Sequence, residues 1–405
     1  MKVSLIGMGP GGRELLTQQA LDALQKAKAV IGARRLLEAL PEEAGGQNIP
    51  LLHPGEIAAW LARHRDYDPA AVVLSGDIGF YSGAARLRPL LLQAGFEVES
   101  ICGISSVACL CAKAGIPWQN VHLVSAHGRS CDVLAHVLNH QTCFFLTGGE
   151  VTPGSICQIL MQAGLGNCPV TVGENLSYPQ ERLLSAPARE LAGQEFASLS
   201  VVLVERTKPA FCRQSRTYGI PDDEFIRGEV PMTKQEVRSV ILSRLAVQEA
   251  DTLWDIGAGT GSVAIECAFA ARWGRVWAIE QAPKAWDLLG QNKEKFGVYN
   301  LNLVKGMAPD VCRDLPAPDA AFIGGSKGRL EEMLQLLLEK NPKVRVVISA
   351  VTLETMYKGL TLLEALGFEQ VEAVQFWVSR TQTCGAGHLL RGQNPVFVIS
   401  GAGHG

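Results

Sequence analysis

The chain is expected to be an α/β protein built from two sets of strands and helices, and three observations point there. Short apolar runs of strand type alternate with helical patterns from end to end, glycine-rich turns close several of those runs, and the alternation lapses once near the middle. VSLIGMG, AVVLSGD, CFFLTGG and SVVLVER mark strands in the first half, and TLWDIGAG, RVWAIEQ, AAFIGG, VRVVISAV and PVFVISG in the second. Apolar strands separated by helices imply largely parallel sheets covered on both faces. Between the two sets lies KPAFCRQSRTYGIPDDEFIRGEVPMT, polar and turn-rich, before a helical pattern begins near Lys234.

A length of 405 residues suits two or three domains, because single cores rarely grow past roughly 250–300 residues. The expected division is a first domain over 1–208, with lobes of about 1–115 and 116–208, a linker over 209–228, and a second domain over 229–405. Hydrophobic residues make up 47% and charged residues 19%, a balance that buries cores and excludes disorder. No run reaches the roughly 18 apolar residues of a spanning helix, and MKVSLIGMGPGG enters a glycine turn instead of a cleavage site. A cytoplasmic protein with no membrane partner is the expectation.

Residues 1–226 carry 18 Lys plus Arg against 21 Asp plus Glu, and 227–405 carry 19 against 19, so neither half offers the cationic surface that nucleic acid requires. Eleven cysteines, an odd number with no CxxC pair, argue against a disulfide framework or a four-cysteine zinc site. Cys131, His136, His140 and Cys143 have a spacing that a metal would tolerate. The segment CDVLAHVLNH reads equally as an amphipathic helix, and no metal is expected.

In the second half, Asp255-Ile256-Gly257-Ala258-Gly259-Thr260-Gly261 follows a strand pattern and opens a helix. Glycines there permit a tight turn that a ligand can approach closely. The next strand ends in Glu280, about 20 residues on, where an acid in such folds accepts bonds from ribose hydroxyls. A turn of this kind also serves nicotinamide dinucleotides. Asp255 before the glycines, and the lack of a second mononucleotide half, favour another reading: DIGAGTG resembles the first motif of class I methyltransferases, which implies a Rossmann-like fold and S-adenosylmethionine. Further along, FIGGSKGR closes a strand at the substrate edge, where many members of that class carry an Asn/Asp-Pro-Pro-aromatic motif that this chain lacks. The glycines leave room for a large planar substrate, and Lys327 and Arg329 are placed to meet its carboxylates. A solvated loop with two exposed cations is the alternative.

In the first half, GMGPG, SGDIGFYS, CGISS and VGENLSYPQER, in that order, resemble the tetrapyrrole methylase family. That family has a two-lobed α/β fold unrelated to the Rossmann type, with the cofactor folded between the lobes. The match is closest to the branch acting on precorrin-6Y. The second half, from PMTKQEVR through DIGAGTGSVAIE, FIGGS and AVTLET, resembles that branch's fusion partner. Ile78 and Cys102 stand where the family usually has prolines. The resemblance implies an N-terminal two-lobed tetrapyrrole methylase fold followed by a C-terminal Rossmann-like class I methyltransferase fold, and two S-adenosylmethionine sites per chain. It further implies methylation of a reduced tetrapyrrole at ring carbons 5 and 15 with loss of carbon dioxide from the ring C acetate, in cobalamin biosynthesis. A cobalt-bearing substrate of the anaerobic route, or another small molecule, are the alternatives.

Carried over by motif as cofactor contacts are Pro10, Ser75, Gly76, Asp77, Phe80, Ser105, Ser106 and Thr147 in the first half, and Thr233, Asp255, Gly257, Ala258, Gly259, Thr260, Gly261, Glu280 and Ala308 in the second. Asp77 is the polar anchor of the first set unless it merely caps its own turn. Thr233 also stands where it would cap a helix starting at Lys234, with Glu236 completing a capping box. Lys327, Arg329 and His388 are the candidate catalytic residues, His388 as proton donor to the macrocycle or simply as a surface histidine. The family leads to an expected homo-oligomer assembled through the C-terminal domain.

Overall fold

The computed structural model describes residues 1–127, 131–206 and 218–404. They form two compact units, one of Met1–Val133 with His140–Thr207 and one of Leu134–Asn139 with Lys208–Gly405.

The first unit begins with β1 (Lys2–Gly7), α1 (Gln18–Lys26), β2 (Ala29–Gly32), α2 (Arg34–Glu38), β3 (Gln47–Pro50), α3 (Pro54–Arg63), β4 (Ala70–Leu74), α4 (Ala84–Gln93) and β5 (Glu97–Ile101). The five strands pair in parallel in the order β3-β2-β4-β1-β5. Strand side chains alternate between faces, so Val3, Leu5 and Val72 pack with Leu61 of α3 and Leu87 of α4, while Ile6, Val30 and Val73 pack with Leu24 of α1 and Leu36 of α2. Both faces are covered, as a parallel sheet requires.

Next along the chain come α5 (Ser106–Ala114), β6 (His122–Ser125), α6 (Val133–Asn139), whose residues from Leu134 count with the second unit, β7 (Thr142–Leu146), α7 (Pro153–Gln162), β8 (Pro169–Glu174), β9 (Arg182–Pro187), α8 (Ala188–Leu191) and β10 (Ser200–Glu205). This sheet runs β6-β7-β10-β8-β9, and only β6 and β7 are parallel. The expectation of largely parallel sheets fails here because β8 and β9 are joined by residues 175–181, too few for a crossover. Val107, Leu110 and Cys111 of α5 pack with Phe144 and Leu203, so the lobes divide after β5 rather than at about residue 115.

The second unit contains α9 (Gln235–Leu245), β11 (Thr252–Ile256), α10 (Ser262–Ala270), β12 (Arg275–Glu280), α11 (Pro283–Phe296), β13 (Leu301–Lys305), β14 (Ala320–Ile323), α12 (Leu330–Lys340), β15 (Arg345–Ala350), α13 (Leu353–Ala365), β16 (Glu369–Phe376), β17 (Ser379–Cys384), β18 (Gly387–Gly392) and β19 (Val396–Ala402). Its seven-stranded sheet has the order β13-β12-β11-β14-β15-β19-β16, antiparallel only at β19, and β17 and β18 form a separate hairpin. Val347 faces a core with α9 and α10, whereas Val346 and Ile348 face one with α12 and α13.

Part of the expected linker, 209–217, lies outside the described residues. Its later part is no tether, since Ile220 and Phe225 are buried in the second unit's core. Arg238, fully buried, donates to Asp222 and Glu266 at 2.9 Å each, and Glu266 accepts the Gly219 and Ile220 amides at 2.6 and 3.0 Å. A buried guanidinium needs such partners, and the segment supplies one of them together with its own backbone. The capping box does not form. Lys234 is the N-cap of α9, with no side-chain cap, and Glu236 instead pairs with Arg380 at 2.7 Å. Among the described residues no helix is long and apolar enough to cross a membrane, and no three His, Cys, Asp or Glu are grouped as metal ligands.

Candidate active sites

In the first unit the loops after β1, β4 and β5 converge. Met8 donates to the Leu74 carbonyl at 2.8 Å, and Gly9 and Gly76 exchange backbone bonds of 3.1 and 2.9 Å. A Cβ at Gly7 would lie 2.7 Å from both the Gly103 nitrogen and the Gly76 oxygen, so the loops meet backbone to backbone and only glycine fits. Pro10 is buried behind this junction.

The candidate polar anchor has structural work here: Asp77 Oδ1 accepts the Gly79 amide at 2.7 Å and Oδ2 the Gly103 amide at 3.1 Å. It caps its turn and ties the β4 and β5 loops together. Ser75 is exposed and accepts from Arg35 at 3.4 Å, while Phe80 lies edge-on to Phe144 at 5.9 Å. Ser105 caps α5 by accepting the Val107 amide at 3.4 Å, and Ser106 is that helix's first residue. Thr147 is buried and donates to the Ser200 carbonyl at 2.6 Å, a bond that holds β7 to β10. A cavity of about 400 Å³ opens beside these loops, lined by Glu14, Leu15, Ile104 and Cys109 and by Lys113 and Glu181, which pair at 2.6 Å.

In the second unit the turn after β11 has φ of +78° at Gly257 and +81° at Gly261, values that side chains rarely adopt. A Cβ on Gly261 would also meet Leu289 at 2.3 Å. Ala258 donates to Ile279 at 3.1 Å. Glu280, at the end of β12, accepts the Gly259 amide at 2.8 Å on Oε2, and the Gln281 and Ala282 amides at 2.8 and 2.7 Å on Oε1. The acid expected to meet ribose therefore also shapes the turn.

Asp255 and Thr260 are buried, and neither their carboxylate oxygens nor the threonine hydroxyl has a well-aligned partner. Burial pushes the Asp255 carboxyl up to about 7; the Ala264 amide pulls the other way, and the charge of Glu280 adds to the rise. Buried polar atoms left open beside a glycine turn fit a polar cofactor there.

Asn292, which sequence reasoning missed, joins this turn to the segment before α9. Its Nδ2 donates to the Thr260 and Ile226 carbonyls at 3.0 Å each, and Oδ1 accepts the Ile226 amide at 2.8 Å. The available signal was its place on the stripe of Ala285 and Leu289, the buried face of α11. Thr233 offers its carbonyl to Arg238, and Ala308 is buried just past β13.

Among the candidate catalytic residues, Arg329 is already engaged by carboxylates. It makes paired bonds to Asp310 at 2.7 and 2.9 Å and to Glu332 at 2.7–3.1 Å, and those carboxylates hold its proton more tightly. Lys327 is exposed at φ +48° with no ion pair among the described residues. His388 stands exposed on β18 opposite Thr383, a surface position.

Two such units define a tetrapyrrole methylase joined to a precorrin methyltransferase domain. Residues 2–192 match the family model of Tetrapyrrole (Corrin/Porphyrin) Methylases, and residues 224–401 that of the Precorrin methyltransferase domain. A Sinorhizobium protein named precorrin-6Y C(5,15)-methyltransferase [decarboxylating] is 30% identical over 354 residues, which are 86% of this chain and 84% of its own. The chain belongs to the precorrin-6Y C(5,15)-methyltransferase (decarboxylating) family. The cobalt-precorrin-6B C(15)-methyltransferase (decarboxylating) of Salmonella typhimurium is 39% identical over 44% of this chain and 93% of its own. A crystal structure of precorrin-6Y C5,15-methyltransferase from Geobacter metallireducens matches 45% of this chain and 95% of its own, at 39% identity and a TM-score of 0.43.

Proposed function

We propose that the chain is an S-adenosylmethionine-dependent methyltransferase that methylates precorrin-6Y at ring carbons 5 and 15 and removes carbon dioxide from the ring C acetate, in cobalamin biosynthesis. The observation that carries this reading is two separate glycine-lined loop clusters, at Gly7, Gly76 and Gly103 and at Gly257–Gly261, in one chain of a family named for both positions and for decarboxylation. Two cofactor sites per chain follow from it. The C-terminal unit takes position 15 and the decarboxylation, the N-terminal unit position 5.

The cofactor, when bound, supplies a sulfonium methyl group. In the first unit Pro10, Ser75, Gly76, Phe80, Ser105, Ser106 and Thr147 frame its loops, and Asp77 acts by holding Gly79 and Gly103 in place. In the second, Gly257, Ala258, Gly259 and Gly261 provide the close approach, Asp255 and Thr260 the unpartnered polar atoms, and Glu280 the shape of the turn. Thr233 and Ala308 join this set on the resemblance alone. Alignment and exclusion of water are the chain's main contributions to a displacement of this kind. Decarboxylation breaks the bond from the acetate carboxylate to its methylene carbon, and the electron pair passes into the protonated, conjugated macrocycle.

The reading divides the chain into a tetrapyrrole methylase domain ending near residue 206 and a methyltransferase domain beginning near 218. The ten described cysteines are free, which supports a reducing, cytoplasmic setting. Assembly of copies through the second unit is supported by Leu389 and Leu390, exposed on the hairpin. A cobalt-bearing substrate is the second reading, favoured by the likeness of the C-terminal half to the Salmonella enzyme.

Two variants test the division. Gly259→Arg would fill the space the cofactor needs and repel its sulfonium, and should abolish carbon dioxide release from precorrin-6Y. Asp77→Ala should keep that release and lose one methyl transfer. Normal release by a folded Gly259→Arg protein, or equal loss of both activities in both variants, would refute it.

A further inference from the structure

Residues 175–181 join β8 to β9 and are held firmly at their base. The Asn175 amide donates to the Leu199 carbonyl at 2.8 Å, and the Tyr178 amide donates back to the Asn175 carbonyl at 2.9 Å. Glu181 accepts the Ser177 amide at 2.5 Å on one carboxylate oxygen and the Lys113 ammonium of α5 at 2.6 Å on the other. Asn175 and Ser177 have φ of +46° and +66°, values costly for residues with side chains, so these bonds hold the turn in a shape it would not take alone.

The turn carries the ring of Tyr178 to the loops of the first sheet. A Cβ on Gly11, at φ +151°, would lie 2.3 Å from Tyr178 Cε2 and 2.6 Å from its Cδ2 and Cζ, so the ring rests on the glycine loop after β1, beside Pro10. The Tyr178 hydroxyl accepts from Nη1 of Arg35 on α2, and Nη2 of the same guanidinium donates to Ser75 Oγ at 3.4 Å, on the loop after β4. The guanidinium carbon stands 5.8 Å from the centre of the Tyr178 ring. Ring and guanidinium thus bridge the two loops that carry Pro10, Ser75 and Gly76. The two ends of this arrangement are held differently. The base has backbone bonds and a charge pair, whereas the tip has bonds to hydroxyls from an exposed Arg35 to a half-buried Tyr178. Water replaces bonds of the second kind at little cost.

We propose that the Tyr178 side chain is a swinging gate on the N-terminal cofactor site and that Arg35 is its latch, both acting as positioning residues outside the set drawn from motif resemblance. The inference rests on the two-site reading above and adds to it what controls cofactor entry and exit at one of the sites. With the backbone of the turn fixed, opening is a rotation about χ1 of one side chain and needs no refolding of the loop. Closed, the ring covers the glycine loop and keeps water from the bound cofactor. Open, it leaves Gly11 and Ser75 accessible to an arriving S-adenosylmethionine or a departing S-adenosylhomocysteine. A latch that holds the closed form both with and without cofactor slows entry and exit alike, and so leaves affinity nearly unaltered.

The test measures association and dissociation rates of S-adenosylhomocysteine by surface plasmon resonance, on the full chain carrying Gly259→Arg so that only the first site binds. Tyr178→Phe keeps the ring on Gly11 and deletes the hydroxyl. It and Arg35→Ala should each raise both rates about fivefold, the loss of one exposed hydrogen bond, with Kd changed by no more than about twofold. The double variant should be no faster than Arg35→Ala alone, because both changes remove the same bond, and Tyr178→Ala, which has no ring, should be faster than Tyr178→Phe. Arg35→Lys, which keeps the charge and loses the two-pronged fork, takes the place of Arg35→Ala if that variant unfolds. Rates unchanged in every variant would overturn the gate. A release rate that rises while Kd weakens in proportion would overturn it too, by making these groups direct cofactor contacts. If the Gly259→Arg chain binds no S-adenosylhomocysteine, the two-site reading fails and takes the gate with it, whereas binding that the latch variants leave untouched removes the gate alone.

Discussion

Asp255→Asn should make the second unit more stable at neutral pH, and the gain should grow with pH. The carboxyl is wholly buried and pushed from 3.8 up to about 7. Because the folded protein binds the proton more tightly than the unfolded chain, folding is favoured below the unfolded pKa, and stability is lost as pH rises towards 7. At about 1.4 kcal/mol per tenfold step in proton affinity, ionising Asp255 in place costs about 4 kcal/mol at pH 8 and about 1.5 kcal/mol at pH 5. Asparagine is nearly the same size and carries no charge. The gap in unfolding free energy between the variant and the unaltered chain should therefore widen by about 3 kcal/mol from pH 5 to pH 8 and level off above pH 7. Urea unfolding followed by tryptophan fluorescence measures this, because Trp254, Trp273, Trp277, Trp286 and Trp377, five of the seven tryptophans, lie in the second unit. Taking the difference between the two proteins cancels the other carboxylates. A gap that stays constant or narrows over that range would refute the reasoning.

Arg238→Met leaves Asp222 and Glu266 charged in a buried site and should cost about 3–5 kcal/mol in the same urea assay, with partial recovery when Asp222→Asn and Glu266→Gln are added. Asn292→Leu keeps the volume but strands the Ile226 amide and the Ile226 and Thr260 carbonyls. Its affinity for S-adenosylhomocysteine should fall about tenfold by calorimetry, and an unchanged affinity would remove Asn292 from the cofactor turn's support. A fragment starting at residue 218 should melt cooperatively by circular dichroism. One starting at 229 should not, because it lacks Ile220 and Phe225, each a buried side chain whose removal costs about 2–5 kcal/mol.

Much was legible in local pattern. The alternation of apolar runs and helices, DIGAGTG with Glu280 about 20 residues on, and the order GMGPG, SGDIGFYS and CGISS all sit on contiguous stretches, and backbone geometry reads such stretches directly. The turn glycines Gly257 and Gly261 stood where positive φ demanded them. What a side chain touches is another matter, since partners come from distant segments. Asp77 and Gly103 are 26 residues apart, Arg329 and Asp310 are 19 apart, and Asp222 reaches Arg380 across 158. A free cation, a bound one and a loop clamp look alike as letters. The same holds for 218–226, whose proline and polar residues read as a linker until Arg238 and the core required them. Composition and periodicity thus determined the α/β class, and the motifs' resemblance pointed to the two folds and the candidate glycine turns. Only the tertiary structure decided which charges are spent on holding the protein together and which, like Lys327, stay exposed with no ion pair among the described residues, because pairing and burial are properties of packed neighbours rather than of sequence position.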